Sequence, residues 1–377
     1  MYDIAIIGGG LSGLISSILL RKSGLEVVLL EKNTYPFHRV CGEYISNEVI
    51  PFLEEHDLYP ADLAPASIDK LIISSTNGRS FKSDLALGGF GISRYRYDHW
   101  LMTRAQQLGV KVMENTTVQT VERTAEGWSL KAGQQHLSSR LVIAAHGKRS
   151  KLDQKLNRRF LQEHSPYVGV KYHVQTDFAP DTIALHNFRG GYCGFSKIEG
   201  DLYNLCYLTH RDQIKKAGDI STFERQVLHK NPHLRSLWES SDFVFEKPAV
   251  INEISFKPKE LIHEGILMAG DSAGMITPLA GNGMAMAIRS ATILSNIIAT
   301  HHHNGEFDLE KIYAVYELTW KQTFETKLWK GRQIQKIFFS HPISSSVAVF
   351  TGKFFSNITQ SIIRQTHGEP FSTATAM

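Results

Sequence analysis

Residues 2–32 read YDIAIIGGGLSGLISSILLRKSGLEVVLLEK. Asp3 to Ile7 form a short apolar run of buried-strand type that passes directly into glycines, and Leu11, Leu14, Ile15, Ile18 and Leu19 then recur at helical spacing. Gly24 supplies a C-terminal cap, and LEVVLLEK is a second apolar strand finishing at Glu31, so the stretch reads as one βαβ unit of a parallel sheet. Gly8, Gly10 and Gly13 fit G-x-G-x-x-G in this setting. Gly8 makes the tight turn, Gly10 leaves room for a pyrophosphate to touch backbone, Gly13 lets helix and strand pack closely, and the helix N-terminus favours the anion. Glu31 is placed to accept ribose hydroxyls and repels a 2'-phosphate, which selects FAD or NAD over NADP.

The whole chain has 377 residues, 42% apolar and 21% charged, a globular composition that excludes disordered, collagenous and coiled-coil classes. A net charge of +4 without a localised patch gives no reason to expect a nucleic-acid partner. Three cysteines, Cys41, Cys193 and Cys206, make no disulfide framework, and the sequence opens on YDIAIIGGG without a basic-then-apolar leader, so a reduced, cytoplasmic setting is expected. No stretch reaches about 18 uninterrupted apolar residues, which argues against a membrane span.

Further buried-strand patterns occur at VKVME (110–114), LVIAA (141–145) and ILMAG (266–270), with a helix over Asp98 to Leu108, so the nucleotide-binding sheet is assembled from distant parts of the chain. Between about 160 and 255 the pattern changes to alternating strands, VGVKYHV, TIALHNF and LYNLCYLT, with a glycine-rich break at GGYCGF. The expected division is a discontinuous cofactor domain (1–159 and 256–305), an inserted antiparallel substrate domain (160–255, joined by part of 65–92), and a C-terminal helical extension (306–377) ending in a frayed polar tail, HGEPFSTATAM.

The second glycine site, GILMAGDSAGMITPLAGNGMAMAI, places Gly270 and Asp271 at a strand end and Gly281 and Gly283 at a helix start. With the N-terminal motif it resembles the p-hydroxybenzoate hydroxylase-like FAD-dependent oxidoreductases, a group that includes geranylgeranyl reductases and flavin-dependent halogenases. The resemblance implies an α/β, Rossmann-like FAD-binding domain with an inserted antiparallel sheet. It implies that Asp271 binds the ribityl chain, that Pro278 lies beside the isoalloxazine, and that backbone N–H groups from Gly281 through Asn282 and Gly283 to Met284 face the pyrimidine edge of the ring. A helix start there stabilises the negative charge of the reduced ring. Leu11, Ser12, Lys32 and Gly147 join the implied cofactor contacts. ISRYRYDHWL makes Arg94 a further contact, RVCGEYIS brings in Arg39, Cys41 and Gly42, and Val118 in TTVQTV falls where the family packs against adenine. Taken singly, the two arginines read equally as solvated or paired side chains and Val118 as core.

Two departures matter. The family's hydroxylases carry Asp-Gly after the strand matching LVIAA, whereas this chain has His146-Gly147, so NADPH docking of their kind does not carry over. No second strand-G-x-G-x-x-G-helix unit is present, which removes a separate nicotinamide domain. GDSAG at 270–274 also satisfies the hydrolase nucleophile elbow around Ser272, but a dinucleotide fingerprint has no role in a hydrolase. His301, His302 and His303 are adjacent in a loop and do not converge as ligands, so no metal is expected. Cys41 reads as a small packed residue or a reactive thiol.

GGYCGFS falls where related enzymes build the substrate wall, making Tyr192, Cys193 and Phe195 the candidate substrate residues. It lacks the tryptophans and proline of the halogenase pattern and the tryptophan and proline of the reductase one, which disfavours halogenation and weakens reduction. The expected activity is FAD-dependent hydroxylation of a hydrophobic or aromatic metabolite, the alternative being reduction of a lipid C=C bond. NAD(P)H or a reduced electron carrier, an electron-donor protein included, is the external reductant. Lys321, Lys327, Lys330, Arg332 and Lys336 against Glu325, interleaved with Phe324, Leu328, Trp329, Ile334 and Ile337, suit either peripheral contact with the inner face of an anionic membrane or a solvated face whose apolar side joins the core.

Overall fold

The computed structural model describes residues 1–340 except 149, 163, 276 and 278–280, together with 346, 349, 353 and 368–375; for 337–340 only the backbone is described. The chain enters through strand β1 (Tyr2–Ile7), helix α1 (Leu11–Lys22) and strand β2 (Val27–Leu30), as the opening stretch predicts. Ile4 to Ile7 are buried as a continuous run, the signature of a strand covered on both faces. Helix α1 is buried at every position from Leu11 to Leu20, because it lies between the sheet and a second apolar helix.

Next come β3 (Tyr44–Ser46), α2 (Ile50–Glu55), β4 (Ala66–Ser74), β5 (Ser80–Gly91), α3 (Arg94–Gln107), β6 (Lys111–Met113), β7 (Val118–Thr124), β8 (Gly127–Ala132), β9 (Gln135–Ala144) and α4 (Lys151–Lys155). They are followed by β10 (Tyr167–Gln175), β11 (Thr182–Phe188), β12 (Gly191–Lys197), β13 (Leu202–His210), α5 (Arg211–Ala217), α6 (Ile220–Gln226), α7 (Pro232–Ser240), β14 (Asp242–Phe243) and β15 (Ala249–Asn252). The last elements are β16 (Ile262–His263), β17 (Ile266–Met268), α8 (Gly283–Thr300), the two-residue strands β18 (His302–His303) and β19 (Glu306–Phe307), and α9 (Leu309–Ser340).

One sheet runs in the order β16, β17, β9, β1, β2, β6, parallel from β17 to β6, with β7, β8 and β9 forming an antiparallel meander. The other runs β14, β10, β13, β12, β11, β4, β5, β3 and is antiparallel except where β11 meets β4. Its strands come from both 44–91 and 167–252.

Three expectations change. Of GGYCGF only Gly190 belongs to the break, a two-residue turn with Arg189 in which Gly190 has φ +84°; from Gly191 onward it is strand β12, paired with both β11 and β13. Gly191 reads as a breaker in sequence, yet it is demanded by packing, since a Cβ there would overlap Leu208 O and lie 2.5 Å from the Phe188 ring. His302 and His303 form half of a small hairpin with Glu306 and Phe307. Within the tail, residues 368–375 dock onto the molecule, with Phe371 only 1% exposed in the main core.

Candidate functional site

The two glycine clusters meet at the carboxyl ends of β1, β9 and β17, where open parallel sheets bind ligands. Gly8 has φ +104°, and a Cβ there would lie 2.6 Å from Ala145 O and 2.7 Å from His146 Cα; a Cβ at Gly13 would overlap Gly8 O. Gly270, at φ +59°, comes so close to α1 that its Cβ would lie 2.8 Å from the Ser12 Cβ. Residues about 260 positions apart are thus packed backbone against side chain. The Ser12 Oγ is buried without a hydrogen-bond partner among the described residues, so the seam between the clusters holds a polar group awaiting one. Helix α8 starts at Gly283 with Asn282 as its N-cap; Met284, Ile288, Ala291 and Leu294 face the core, while Gly281 has a left-handed φ of +65°. Pro278 lies outside the described residues.

Glu31 follows β2 directly and is held beside the glycine turn. Its Oε2 accepts from Gly9 N at 2.9 Å and from Arg39 Nη2 at 3.1 Å, and its Oε1 accepts from Asn33 N and Nδ2, both at 3.0 Å. Lys32 beside it is exposed. Arg39 also donates through Nε to Asp98 Oδ2 at 2.9 Å. Arg94 grips the same carboxylate with two bonds, Nε to Oδ1 at 2.6 Å and Nη2 to Oδ2 at 2.7 Å, and lies 3.6 Å from where a Gly10 Cβ would stand. Tyr35 donates its hydroxyl to Gly9 O, and burial, with Asp98 and Glu31 nearby, pushes its phenol well above the usual range. Val118 opens β7 and is buried in the main core.

The network continues through the 39–43 loop to the second sheet. Glu43, at a left-handed φ of +53° and fully buried, accepts on Oε1 from Arg94 N at 2.7 Å and Lys171 Nζ at 2.5 Å, and on Oε2 from His173 Nε2 at 2.7 Å. Burial alone would raise its carboxyl; the Lys171 charge and the His173 hydrogen bond overcome this and lower it to about 2. Lys171 Nζ also reaches Arg39 O, Lys148 Nζ reaches Val40 O and Asn204 Nδ2 reaches Cys41 O, so three side chains hold this loop. Burial and the Lys171 charge lower the imidazole of His38, which stacks on Tyr95 and meets Phe245 edge-on, to about 4.

A second pin closes the other side. Ser272 Oγ accepts from Gly147 N at 2.8 Å and donates to Gly147 O at 3.2 Å, tying the segment after β17 to the end of β9; this bonding suits a strap and not a hydrolytic nucleophile. Lys259 Nζ donates to Asp271 O at 2.7 Å and Lys148 O at 3.1 Å, and burial lowers its ammonium to about 8. His146, which stands where the hydroxylases carry an acid, pairs with Asp153 at 2.8 Å.

Strand alternation divides the candidate substrate residues. Tyr192 lies in an apolar cluster with Leu208, Ile254, Phe256 and Met275, on the side of the segment after Asp271. Cys193 and Phe195 point the other way, into the core against α6 and α7. All three cysteines are free, with Cys41 half-buried. No cluster that could hold a metal ion occurs among the described residues. Sequence reading missed Asp98, Glu43, Lys171, His173 and Lys259. The available signal was Lys171 and His173 two apart in the otherwise apolar VGVKYHV, hence on one buried face.

Residues 1–314 match the family described as FAD binding domain. The chain belongs to that family. It is an FAD-dependent oxidoreductase, and the packed glycine seam with its buried Ser12 hydroxyl fits the cofactor. Among curated relatives it is 24% identical over 323 residues to conditioned medium factor receptor 1 of Dictyostelium discoideum, aligning 78% of this chain and spanning 62% of that protein's length. It is 24% identical over 352 residues to the digeranylgeranylglycerophospholipid reductase of Methanocaldococcus jannaschii, covering 89% of this chain and 86% of that one. Among solved structures, a geranylgeranyl bacteriochlorophyll reductase-like protein from Thermoplasma acidophilum superimposes with a TM-score of 0.79 at 18% identity, covering 98% and 96% of the two chains. The flavin-dependent brominase Bmp2 superimposes with 0.77 at 18% identity, covering 97% and 93%. At these identities the two structures establish the fold. Among the described residues no helix is long and apolar enough to cross a membrane.

Proposed function

We propose that the protein reduces a C=C bond of an apolar, lipid-like substrate, with NAD(P)H or a reduced electron carrier as the source of electrons. The observation that carries this reading is the buried apolar cluster of Tyr192, Leu208, Ile254, Phe256 and Met275, packed beside the segment that follows Asp271. The name and nearly full-length coverage of the Methanocaldococcus relative support it. Bound and reduced, FAD supplies a hydride. The residues of this chain bind the hydrocarbon, exclude water and hold the proton that the second carbon requires. Lys171 Nζ, fixed between Glu43 Oε1 and Arg39 O, holds a proton beside the 39–43 loop, and the chain Lys171, Glu43, His173 leads towards solvent-exposed His38, whose ring centroid is 5.1 Å from that of His173.

Hydroxylation of an aromatic or polyketide-like metabolite is the second reading, favoured by the aromatic rings of Tyr192, Phe256 and the flanking Tyr167 in the same cluster. Turnover of a prenyl lipid by the dithionite-reduced holoprotein separates the two. Reduction proceeds without air and adds two hydrogens; incorporation of labelled molecular oxygen into product refutes it.

Helix α9 fits collection of such a substrate from a lipid surface. Ile312, Tyr316, Trp320, Phe324 and Leu328 face the core, so most of its apolar side is already committed there. Leu318 and Trp329 stand outside it, 59% and 55% exposed and three turns apart on one face, near Arg332 and Lys336.

A further inference from the structure

Residues 368–375 lie across α2, α8 and α9, and Phe371 anchors them. Its ring stacks on Phe52 of α2 with centroids 5.6 Å apart, the Arg289 guanidinium of α8 lies 4.9 Å above it, and its N–H donates to Glu48 O at 3.1 Å. Thr373 makes the second attachment. Its N–H donates to Glu55 Oε2 at 2.8 Å, its hydroxyl meets His56 Nε2 at 2.6 Å, and its carbonyl accepts from Asn296 Nδ2 at 3.1 Å. Two independent anchors therefore join α2 to α8 through this segment.

Beneath the segment lies Glu48, a carboxylate only 1% exposed. Its Oε1 accepts from Asn282 Nδ2 at 3.1 Å, and Asn282 is the N-cap of α8. Its Oε2 has no hydrogen-bond partner among the described residues and faces Gly368, where a Cβ would overlap Oε2 and lie 2.9 Å from Lys327 Nζ. A side chain at 368 would therefore push the Glu48 carboxylate out of its place. Arg289 and Lys327 bring positive charge from α8 and α9; burial lowers both, and Glu48 pulls each back towards its charged form. A buried carboxylate with one fixed and one walled oxygen has a single favourable orientation, and that orientation holds Asn282. Hydrated, it would have several.

We propose that residues 368–375 are an intramolecular clamp, and that Glu48, held by Gly368 and Phe371, is a positioning residue that fixes Asn282 and the first turn of α8 for the isoalloxazine end of FAD. The inference rests on the reading that this helix start faces the ring. The clamp keeps the site ordered before the cofactor arrives, so that binding does not have to order it.

Fluorescence titration with FAD tests this on full-length protein stripped of flavin, alongside the visible absorption of the bound flavin and far-UV circular dichroism. Gly368→Ala is the sharpest perturbation, because its methyl meets only the ends of two flexible side chains and displaces the carboxylate without removing core. Phe371→Ala releases the anchor, and Ser372→Ala, whose hydroxyl bonds to Thr375 within the segment, is the control. The expected result is at least about tenfold weaker FAD binding and an altered bound-flavin spectrum for Gly368→Ala and Phe371→Ala, with the control unchanged. If wild-type protein binds FAD and folded Gly368→Ala binds it within twofold with the same spectrum, the clamp is refuted; if the wild type takes up no FAD, the cofactor reading fails and the clamp with it. Should Phe371→Ala unfold, Gly368→Ala decides alone.

Discussion

Glu43→Gln removes one charge from a fully buried group while keeping its size. In the native protein the carboxylate neutralises Lys171 at 2.5 Å and accepts from His173 and Arg94 N. Its carboxyl is lowered from 4.5 to about 2, a gap that corresponds to about 3 kcal/mol of differential stabilisation of the ionised form. A depressed carboxylate contributes stability that is fully present above its unfolded value, here about 4.5, and is lost as pH falls through about 2. The amide variant also leaves Lys171 buried without its counter-charge, and breaking a buried pair of this kind costs roughly 3–5 kcal/mol. Urea unfolding of FAD-saturated protein at pH 7 should therefore show a loss of about 3 kcal/mol in Glu43→Gln, and the gap between variant and wild type should shrink as pH is lowered to 3. Adding Lys171→Met should recover part of the loss, because the two sites share one interaction. A variant within about 1 kcal/mol of wild type at pH 7, or an acid dependence unaltered by the substitution, would refute the electrostatic account of this triad.

Gly13→Val places a branched side chain where even a Cβ overlaps Gly8 O; the glycine turn cannot keep its shape, and FAD uptake measured by absorbance should be lost. Lys259 is lowered from 10.5 to about 8, so the native state holds fewer protons than the unfolded chain between these values; melting temperature should gain stability over pH 8 to 10 relative to Lys259→Met, which should lack that component. If α9 meets lipid, the protein floats with anionic vesicles at low salt and is released by salt, and Trp329→Ala weakens the association; no flotation at low salt removes that contact.

The βαβ unit was legible because its signals are local: apolar period, three glycines and one acid lie within 31 residues. The second glycine cluster carries the same residue types, but only the folded chain shows Gly270 against Ser12. The buried charges were not legible as a group. Arg94 and Asp98 have the i,i+4 spacing of an ordinary surface pair, and Glu43 follows a loop glycine, so nothing local says that they are buried and linked. Alternation in β12 was legible once the strand was recognised; the resemblance named Tyr192, Cys193 and Phe195 together as one segment without dividing them between the strand's two faces. The docked tail was hidden because one phenylalanine in a polar segment has no periodicity to reveal it.

The charged residues at the site form one balance rather than several pairs. Glu31, Asp98 and Glu43 face Arg39, Arg94 and Lys171, three acids against three bases, with shared members: Arg39 touches both Glu31 and Asp98, and Arg94 joins Asp98 to Glu43 through its own backbone N–H. The chain of contacts begins at the glycine turn and ends on β10, inside the second sheet. Removing one member leaves a charge in a site that does not solvate it, whereas removing an acid and its base together leaves none. Substitutions at Glu31 should therefore alter the second sheet as well as the glycine turn, and single substitutions should lose more than paired ones. The same coupling explains the tolerance of left-handed Glu43. Its backbone is strained, but its carboxylate reaches Lys171, His173 and the Arg94 backbone N–H, and those three contacts hold the 39–43 loop against the second sheet.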